Sequence, residues 1–315
     1  MQMIIINLGI LIAGFVLLIK GADFFVKGAS TIARKFGVPQ IIIGLTVVAM
    51  GTSAPEAAVS ISAAVSGNAD ITIGNVVGSN TMNVLLILGI TALIAPIAVD
   101  RSAVKVDMPF MLGITLLLMP LGMFGNDVNR WEGILLLALF VAYLIYLFHR
   151  TMKDSAEEDD LRPTYGQGNR WMILWTVLGL AMIVFGSKLI VYSASEIALE
   201  FGVSQRMIAL TIVAFGTSLP ELVTSATAAR RGNTGLAIGN IVGSNIFNIL
   251  FVSGLTAAIT PIAFRNAFII DTGVAAFAAL ILWLFSLKGK NLGRICGAVM
   301  LVCYAAYFAF VLFLK

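Results

Sequence analysis

Residues 46–97 and 211–262 are one segment written twice. A shift of 165 positions overlays them without a gap and gives 28 identities in 52 positions. The longest matches are Gly51-Thr52-Ser53-Ala54-Pro55-Glu56 with Gly216-Thr217-Ser218-Leu219-Pro220-Glu221, and Gly74-Asn75-Val76-Val77-Gly78-Ser79-Asn80 with Gly239-Asn240-Ile241-Val242-Gly243-Ser244-Asn245. Phe36-Gly37-Val38 also returns as Phe201-Gly202-Val203. A chain so duplicated is expected to build two like halves and to use the repeated residues in pairs.

The medium of those halves follows from composition. Hydrophobic residues make up 59% of the 315-residue chain and charged residues 11%, with a mean hydropathy of +1.00. A soluble domain carries about 25% charged residues, and disorder requires low hydrophobicity. Both classes are excluded. A helical span needs about 20 mostly apolar residues. Ten such runs are legible, near 3–20, 40–65, 71–94, 107–123, 131–148, 170–190, 207–229, 236–259, 267–287 and 294–314. Runs such as 134–148 do not alternate, which argues against an outer-membrane barrel. The first run has no preceding basic residue and no small-residue cleavage site, so it reads as a span and not a cleaved leader.

Each half then holds five spans. Because five is odd, the second half enters the membrane from the opposite side. The expected fold class is an all-α integral membrane protein of ten transmembrane helices in two inverted-topology five-helix repeats. The N-terminal repeat covers 1–150, a linker 151–169, and the C-terminal repeat 170–315. Many secondary transporters share this plan, with midplane sites on helices interrupted by Gly or Pro.

Lysine and arginine set the orientation. With the N-terminus outside, fourteen fall in cytoplasmic loops: Lys27, Arg34, Lys35, Arg101, Lys105, Arg150, Lys153, Arg162, Arg170, Arg230, Arg231, Lys288, Lys290 and Arg294. Five fall outside: Arg130, Lys188, Arg206, Arg265 and Lys315. Both termini are therefore expected to be extracellular in a multi-pass cell-membrane protein. This placement also accounts for the pI near 9.1 without nucleic acid as a partner. The linker, with Glu157, Glu158, Asp159 and Asp160, reads as an acidic, solvated cytoplasmic segment lacking the ligand spacing of an EF-hand. Cys296 and Cys303 are seven apart in one run, about 10 Å along a helix and too far to bridge. No nucleotide-binding P-loop is present, so transport, if any, is expected to be driven by an ion gradient.

Two acidic residues, Glu56 and Glu221, lie well inside apolar runs at equivalent repeat positions. A charge at the bilayer centre costs at least about 2.5–3.5 kcal/mol and marks function by default. No lysine or arginine lies in those runs to pair with them, which leaves a cation, a proton or a water-filled cavity. Pro55 and Pro220 remove a backbone donor and Gly51 and Gly216 weaken the helix, so the backbone is expected to open over 49–52 and 214–217 and offer carbonyl oxygens. Asn75, Ser79 and Asn83 share a helix face, as do Asn240, Ser244 and Asn248, and form the expected facing wall. Gly74, Gly78, Gly239 and Gly243 are small-residue edges suited to close helix approach. All these donors are hard oxygens, which suit Ca²⁺, Na⁺ or Mg²⁺. The lone histidine, His149, sits at a span end and reads as interfacial. Two carboxylates balance one Ca²⁺ or two Na⁺, the physical basis of exchange. Readings left open by these residues are a sodium- or proton-coupled cation antiporter, a cation channel and an intramembrane carboxylate enzyme.

The doubled segments, Gly51–Glu56 with Gly74–Asn83 and Gly216–Glu221 with Gly239–Asn248, resemble the two alpha-repeats of the sodium/calcium exchanger family, within the calcium:cation antiporter superfamily and of prokaryotic type. The resemblance places those repeats near 44–94 and 209–259. It implies a non-enzymatic Na⁺/Ca²⁺ antiporter working by alternating access as a monomer, with no cofactor beyond the transported ions. It implies a Ca²⁺ site of Glu56, Glu221, Thr52 and Thr217. It implies Na⁺ sites of Ala49, Thr52, Ser53 and Ser79, and of Ala214, Thr217, Ser218 and Ser244. Asn83 and Asn248, with Asn75 and Asn240, would line the middle. The first and sixth spans would slide across the other eight. Many members carry aspartate at the position of Asn248, and potassium-dependent members at Asn83 too; asparagine at both argues against potassium dependence and leaves two carboxylates at the site.

Overall fold

A computed structural model of the chain describes residues 2–67, 69–157, 169–203, 212, 214–288 and 291–314. Most of the expected linker (158–168) and the beginning of the expected seventh span lie outside the described residues, as do Arg162, Arg206, Lys290 and Lys315.

The helices are α1 (Gln2–Phe36), α2 (Gln40–Thr52), α3 (Ala54–Val65), α4 (Ile71–Ile94), α5 (Ala103–Met123) and α6 (Arg130–Glu157), followed by α7 (Asn169–Glu200), α8 (Ala214–Thr217), α9 (Leu219–Arg230), α10 (Thr234–Ile259), α11 (Asn266–Lys288) and α12 (Arg294–Leu314). Among the described residues, eight helices are long and apolar enough to cross a membrane, and the bent pair α2–α3 makes a ninth. The helices that carry the repeated asparagines are the most enclosed. The most apolar window of α10 is 89% buried and that of α4 72%, against 17% for α1 and 11% for α12. In an apolar solvent the polar helices belong at the centre, and that is where they sit.

The Phe-Gly-Val repeat has a local job. Gly37 (φ +62°) and Gly202 (φ +75°) take the left-handed conformation just past α1 and α7. Val38 N–H then reaches back to Ala33 O at 2.9 Å, and Val203 N–H to Ala198 O at 3.0 Å. Glycine is favoured there because a Cβ would strain the turn.

α1 and α7 pack antiparallel along a glycine seam. Gly14, Gly21 and Gly28 recur every seven residues, as do Gly179 and Gly186, so each series stays on one stripe. A Cβ built on Gly14 would stand 3.0 Å from Gly186 O, one on Gly21 2.9 Å from Gly179 O, and one on Gly28 3.0 Å from Met172 O. Without a hydrophobic drive between helices in lipid, such backbone proximity is what holds a pair together. α1, with 35 residues, is about 52 Å long at 1.5 Å per residue, well over the hydrocarbon thickness, so it either tilts or projects beyond the bilayer with its basic end.

Two short strand pairs clamp the ends. β1 (Ile97–Ala98) pairs antiparallel with β4 (Asn291–Leu292), and β2 (Asp127–Val128) with β3 (Ile262–Ala263). Each pair joins the loop after one repeated segment to a later loop of the other half.

A buried charge network braces α5 against α6. Asp107 is fully buried at the end of a π-helical turn (Ala103–Asp107) and accepts from Tyr143 OH and Arg150 Nη1, both at 3.0 Å. Arg150 also donates to Ser102 Oγ. Removing one member of a buried ion pair costs about 3–5 kcal/mol, because the other charge is left uncompensated. Arg150→Met is therefore expected to lower the melting temperature strongly, and adding Asp107→Asn to recover most of the loss. Thermal unfolding of the single and double variants in detergent checks this; a double variant no better than Arg150→Met would refute it.

Candidate ion-binding centre

The broken helices come from proline. Pro55 and Pro220 are the second residues of α3 and α9, where a missing N–H is tolerated in a new helix but ends the old one. The break falls at Ser53 (φ −83°, ψ 6°) and Ser218 (φ −94°, ψ 3°), and α2 and α3 meet at a 48° bend. Ala49–Thr52 and Ala214–Thr217 are helical, so the backbone opens one residue later than the glycines suggested. The Gly216 carbonyl, which Pro220 cannot serve, accepts from Ser187 Oγ of α7 at 2.6 Å. In α1 the equivalent residue is Ala22, and the Gly51 carbonyl accepts a backbone N–H at the break.

Both breaks deliver a hydroxyl to the opposite half's carboxylate. Ser53 Oγ donates to Glu221 Oε1 at 2.8 Å, and Ser218 Oγ to Glu56 Oε1 at 3.2 Å. Glu56 and Glu221 are both fully buried. No basic side chain pairs with either among the described residues.

The asparagine helices hold the breaks in place. Asn75 Nδ2 donates to Glu56 O (3.1 Å) and Ser60 Oγ (2.9 Å), and Asn240 Nδ2 to Ser225 Oγ (2.9 Å), with Glu221 O at 3.5 Å. Asn240 Oδ1 accepts from Thr52 Oγ1 of the other half at 3.0 Å, and that hydroxyl also lies 3.1 Å from Val48 O and 3.3 Å from Ala49 O. Ser244 Oγ reaches the Ala49 carbonyl at 3.5 Å, and Ser79 is buried. Thr217 ends α8, and Ala214 begins it. Gly239 and Gly243 lie against the α2 backbone, where added Cβ atoms would meet Ile41 O at 2.5 Å and Leu45 O at 2.7 Å. For Gly74 the contact of an added Cβ among the described residues is Phe268 at 3.7 Å, and residues 206–210, which stand 165 positions beyond 41–45, lie outside the described residues.

In the middle, four carboxamides form a ring. Asn80 Nδ2 donates to Asn245 O (3.1 Å) and Asn245 Nδ2 to Asn80 O (3.2 Å). Asn83 Nδ2 donates to Asn245 Oδ1 (3.0 Å) and Asn248 Nδ2 to Asn80 Oδ1 (3.2 Å). π-helical turns begin at Asn83 (Asn83–Leu88) and at Asn248 (Asn248–Val252), widening both helices at the same repeat position. Sequence reasoning missed Asn80, Asn245, Ser60 and Ser225. All four are identical across the repeat, and that was the available signal.

Among the described residues, the buried oxygens near the breaks and the ring without a hydrogen-bond partner include Thr224 Oγ1, one turn past Glu221, and four that recur across the repeat: Glu56 Oε2, Glu221 Oε2, Asn83 Oδ1 and Asn248 Oδ1. These four form two repeat-related pairs. Each unsatisfied buried acceptor costs about 1–3 kcal/mol, more when charged. Two carboxylate and two carboxamide oxygens make a hard-donor set of charge −2 when both glutamates are ionised, which suits a divalent cation or two monovalent ones.

The comparisons with known proteins agree with that chemistry. The family model described as sodium/calcium exchanger protein matches residues 6–149 and 171–313. CaxA of Alkalimonas amylolytica is 41% identical over 309 residues, covering 94% of this chain and 95% of that one. The sodium/calcium exchanger MaX1 of Methanosarcina acetivorans is 35% identical, covering 97% of this chain and 98% of that one. Among solved structures, the sodium-calcium exchanger NCX_Mj matches with a TM-score of 0.87 at 32% identity, covering 98% of this chain and 99% of that one. An apolar helical frame, paired carboxylates on broken helices and a match over both halves lead to one assignment: this integral membrane protein is a transporter, not an enzyme, and belongs to the sodium/calcium exchanger family.

Proposed function

We propose that this chain exchanges Na⁺ for Ca²⁺ across the cell membrane by alternating access, both ions using the centre between the two broken helices. The observation that carries this reading is the set of four partnerless buried oxygens on Glu56, Glu221, Asn83 and Asn248. Ca²⁺ would be held by the carboxylates of Glu56 and Glu221 with Thr52 and Thr217. Na⁺ would use Ala49, Thr52, Ser53 and Ser79 on one side and Ala214, Thr217, Ser218 and Ser244 on the other, with Asn75, Asn83, Asn240 and Asn248 lining the site. Because two carboxylates neutralise either load, the two ions compete for one place.

Ten spans in two inverted five-helix repeats is the topology that best fits the strand clamps. Paired strands must lie on one membrane face, so an even number of crossings separates them. Between β2 and β3 lie α6, α7, the segment ending in α9, and α10. That count is even only if the segment ending in α9 crosses once, which makes α8–α9 the partner of α2–α3. Between β1 and β4 the same assumption gives six crossings. The excess of basic residues then puts both termini outside and the 151–169 linker in the cytoplasm, with the protein working as a monomer.

Purified protein in proteoliposomes should take up calcium under an imposed sodium gradient and not under a pH gradient alone. Uptake driven only by the pH gradient would make the coupling ion a proton. Uptake without any gradient requirement would make the protein a channel.

A further inference from the structure

We propose that Asn80 and Asn245 are positioning residues that decide which end of the Asn248 and Asn83 carboxamides faces the transported cation. This rests on the reading of the centre as a cation site. A carboxamide accepts at one end and donates at the other, and only the accepting end is useful to a cation. Asn83 and Asn248 must therefore be held with oxygen inward.

The ring fixes that orientation by forced choices that start at the backbone. Asn80 contacts the Asn245 carbonyl at 3.1 Å, and a carbonyl only accepts, so Asn80 must place Nδ2 there. Its Oδ1 is then the atom left facing Asn248, 3.2 Å away, and being an acceptor it demands Nδ2 of Asn248. The remaining atom of Asn248, Oδ1, is buried without a partner. The mirrored chain runs from Asn80 O through Asn245 Nδ2 (3.2 Å) and Asn245 Oδ1 to Asn83 Nδ2 (3.0 Å), and leaves Asn83 Oδ1 bare. Turning Asn248 over would set two acceptors against each other at Asn80 and present N–H groups to the cation. The outer pair, each 3% exposed, thus aims the inner pair, which is fully buried.

A compensation experiment tests this in full-length protein in proteoliposomes, reading the half-saturating calcium concentration separately from the maximal rate. Asn80→Ala removes the acceptor that aims Asn248, and half-saturating calcium should rise about tenfold or more. Asn248→Asp adds a charge of its own, so it is also measured alone, and Asn80→Ala is compared in the two backgrounds. A carboxylate shows oxygen whichever way it turns, so Asn80→Ala should change half-saturating calcium by less than about threefold when residue 248 is aspartate. A purely structural role for Asn80 predicts the same factor in both backgrounds. Unchanged half-saturation in Asn80→Ala, or an equal factor in the two backgrounds, overturns the proposal. Should Asn80→Ala fail to fold, Asn245→Ala with and without Asn83→Asp makes the mirrored test. A wild type without gradient-driven calcium uptake would instead overturn the cation-site reading, and the proposal with it.

Discussion

Glu221→Gln abolishes calcium uptake driven by a sodium gradient while the protein stays folded: this is the expected result for the residue with the largest functional leverage. Glutamine keeps the volume of the side chain and an oxygen that can accept from Ser53 Oγ, which now donates to Glu221 at 2.8 Å. It removes one of two negative charges in a fully buried site. One unit charge about 4 Å from a cation is worth about 4 kcal/mol per charge of that cation at an effective dielectric of 20. Even a third of that for Ca²⁺ exceeds 2 kcal/mol, and each 1.4 kcal/mol is a factor of ten. A loss of at least about 100-fold in uptake at low calcium is expected. Stability should hold or rise, since an uncompensated buried charge is gone. Isotope uptake and thermal melting on one preparation check both halves of the statement. A Glu221→Gln protein with wild-type uptake would remove the carboxylates from the mechanism. Glu56→Gln should behave alike, because the structure gives both glutamates the same crossed serine contact.

The largest structural effect is expected at the α1–α7 seam. A Cβ on Gly179 would stand 2.7 Å from Gly21 O and 2.8 Å from Phe25 Cα, against backbone that cannot turn aside as a side chain would. Gly179→Ala should therefore lower stability by about 1–3 kcal/mol, the usual cost of overpacking, despite alanine's better helix propensity. Gly179→Val should separate the helices and lose transport with it. Gly9→Ala is the control on the same pair, because nothing lies within 4 Å of its added Cβ; it should stabilise or leave the melting point unchanged. Equal effects at Gly9 and Gly179 would show that helix propensity and not the seam governs.

Membrane character, helical architecture and the break beside each glutamate were all legible in the sequence, because each is written in one-dimensional signals: apolar run length, proline position, and a charge where charge is costly. The paired use of Ser53 and Ser218 was half legible. Repetition marked both, but only the fold shows that each serves the other half's carboxylate. Asn80 and Asn245 are not marked by helix spacing, because intervals of four trace the face 75–79–83 and 240–244–248 and they stand beside it. Their role depends on a backbone carbonyl 165 residues away, which no local spacing encodes. The π-helical turns at Asn83 and Asn248 escaped for a related reason. An extra residue in a turn is selected by packing against the opposite half, and local propensity carries no mark of it.

The crossed serines also set an order of events in the making of the protein. Glu56 takes its hydroxyl from Ser218, 162 residues further along the chain. At about 5–20 residues per second, synthesis reaches that serine roughly 8–30 s after it has added Glu56 to the chain. During that interval the first carboxylate stands in or beside the bilayer without the group that will serve it, at the insertion cost of a lone intramembrane acid. The first half is thus an incomplete product. Its broken helix is expected to wait at the translocon or at the membrane surface, and to settle only when the second half arrives with the matching serine. A nascent chain stalled before Ser218 should leave Glu56 open to water-borne labelling reagents, and one stalled well beyond it should not.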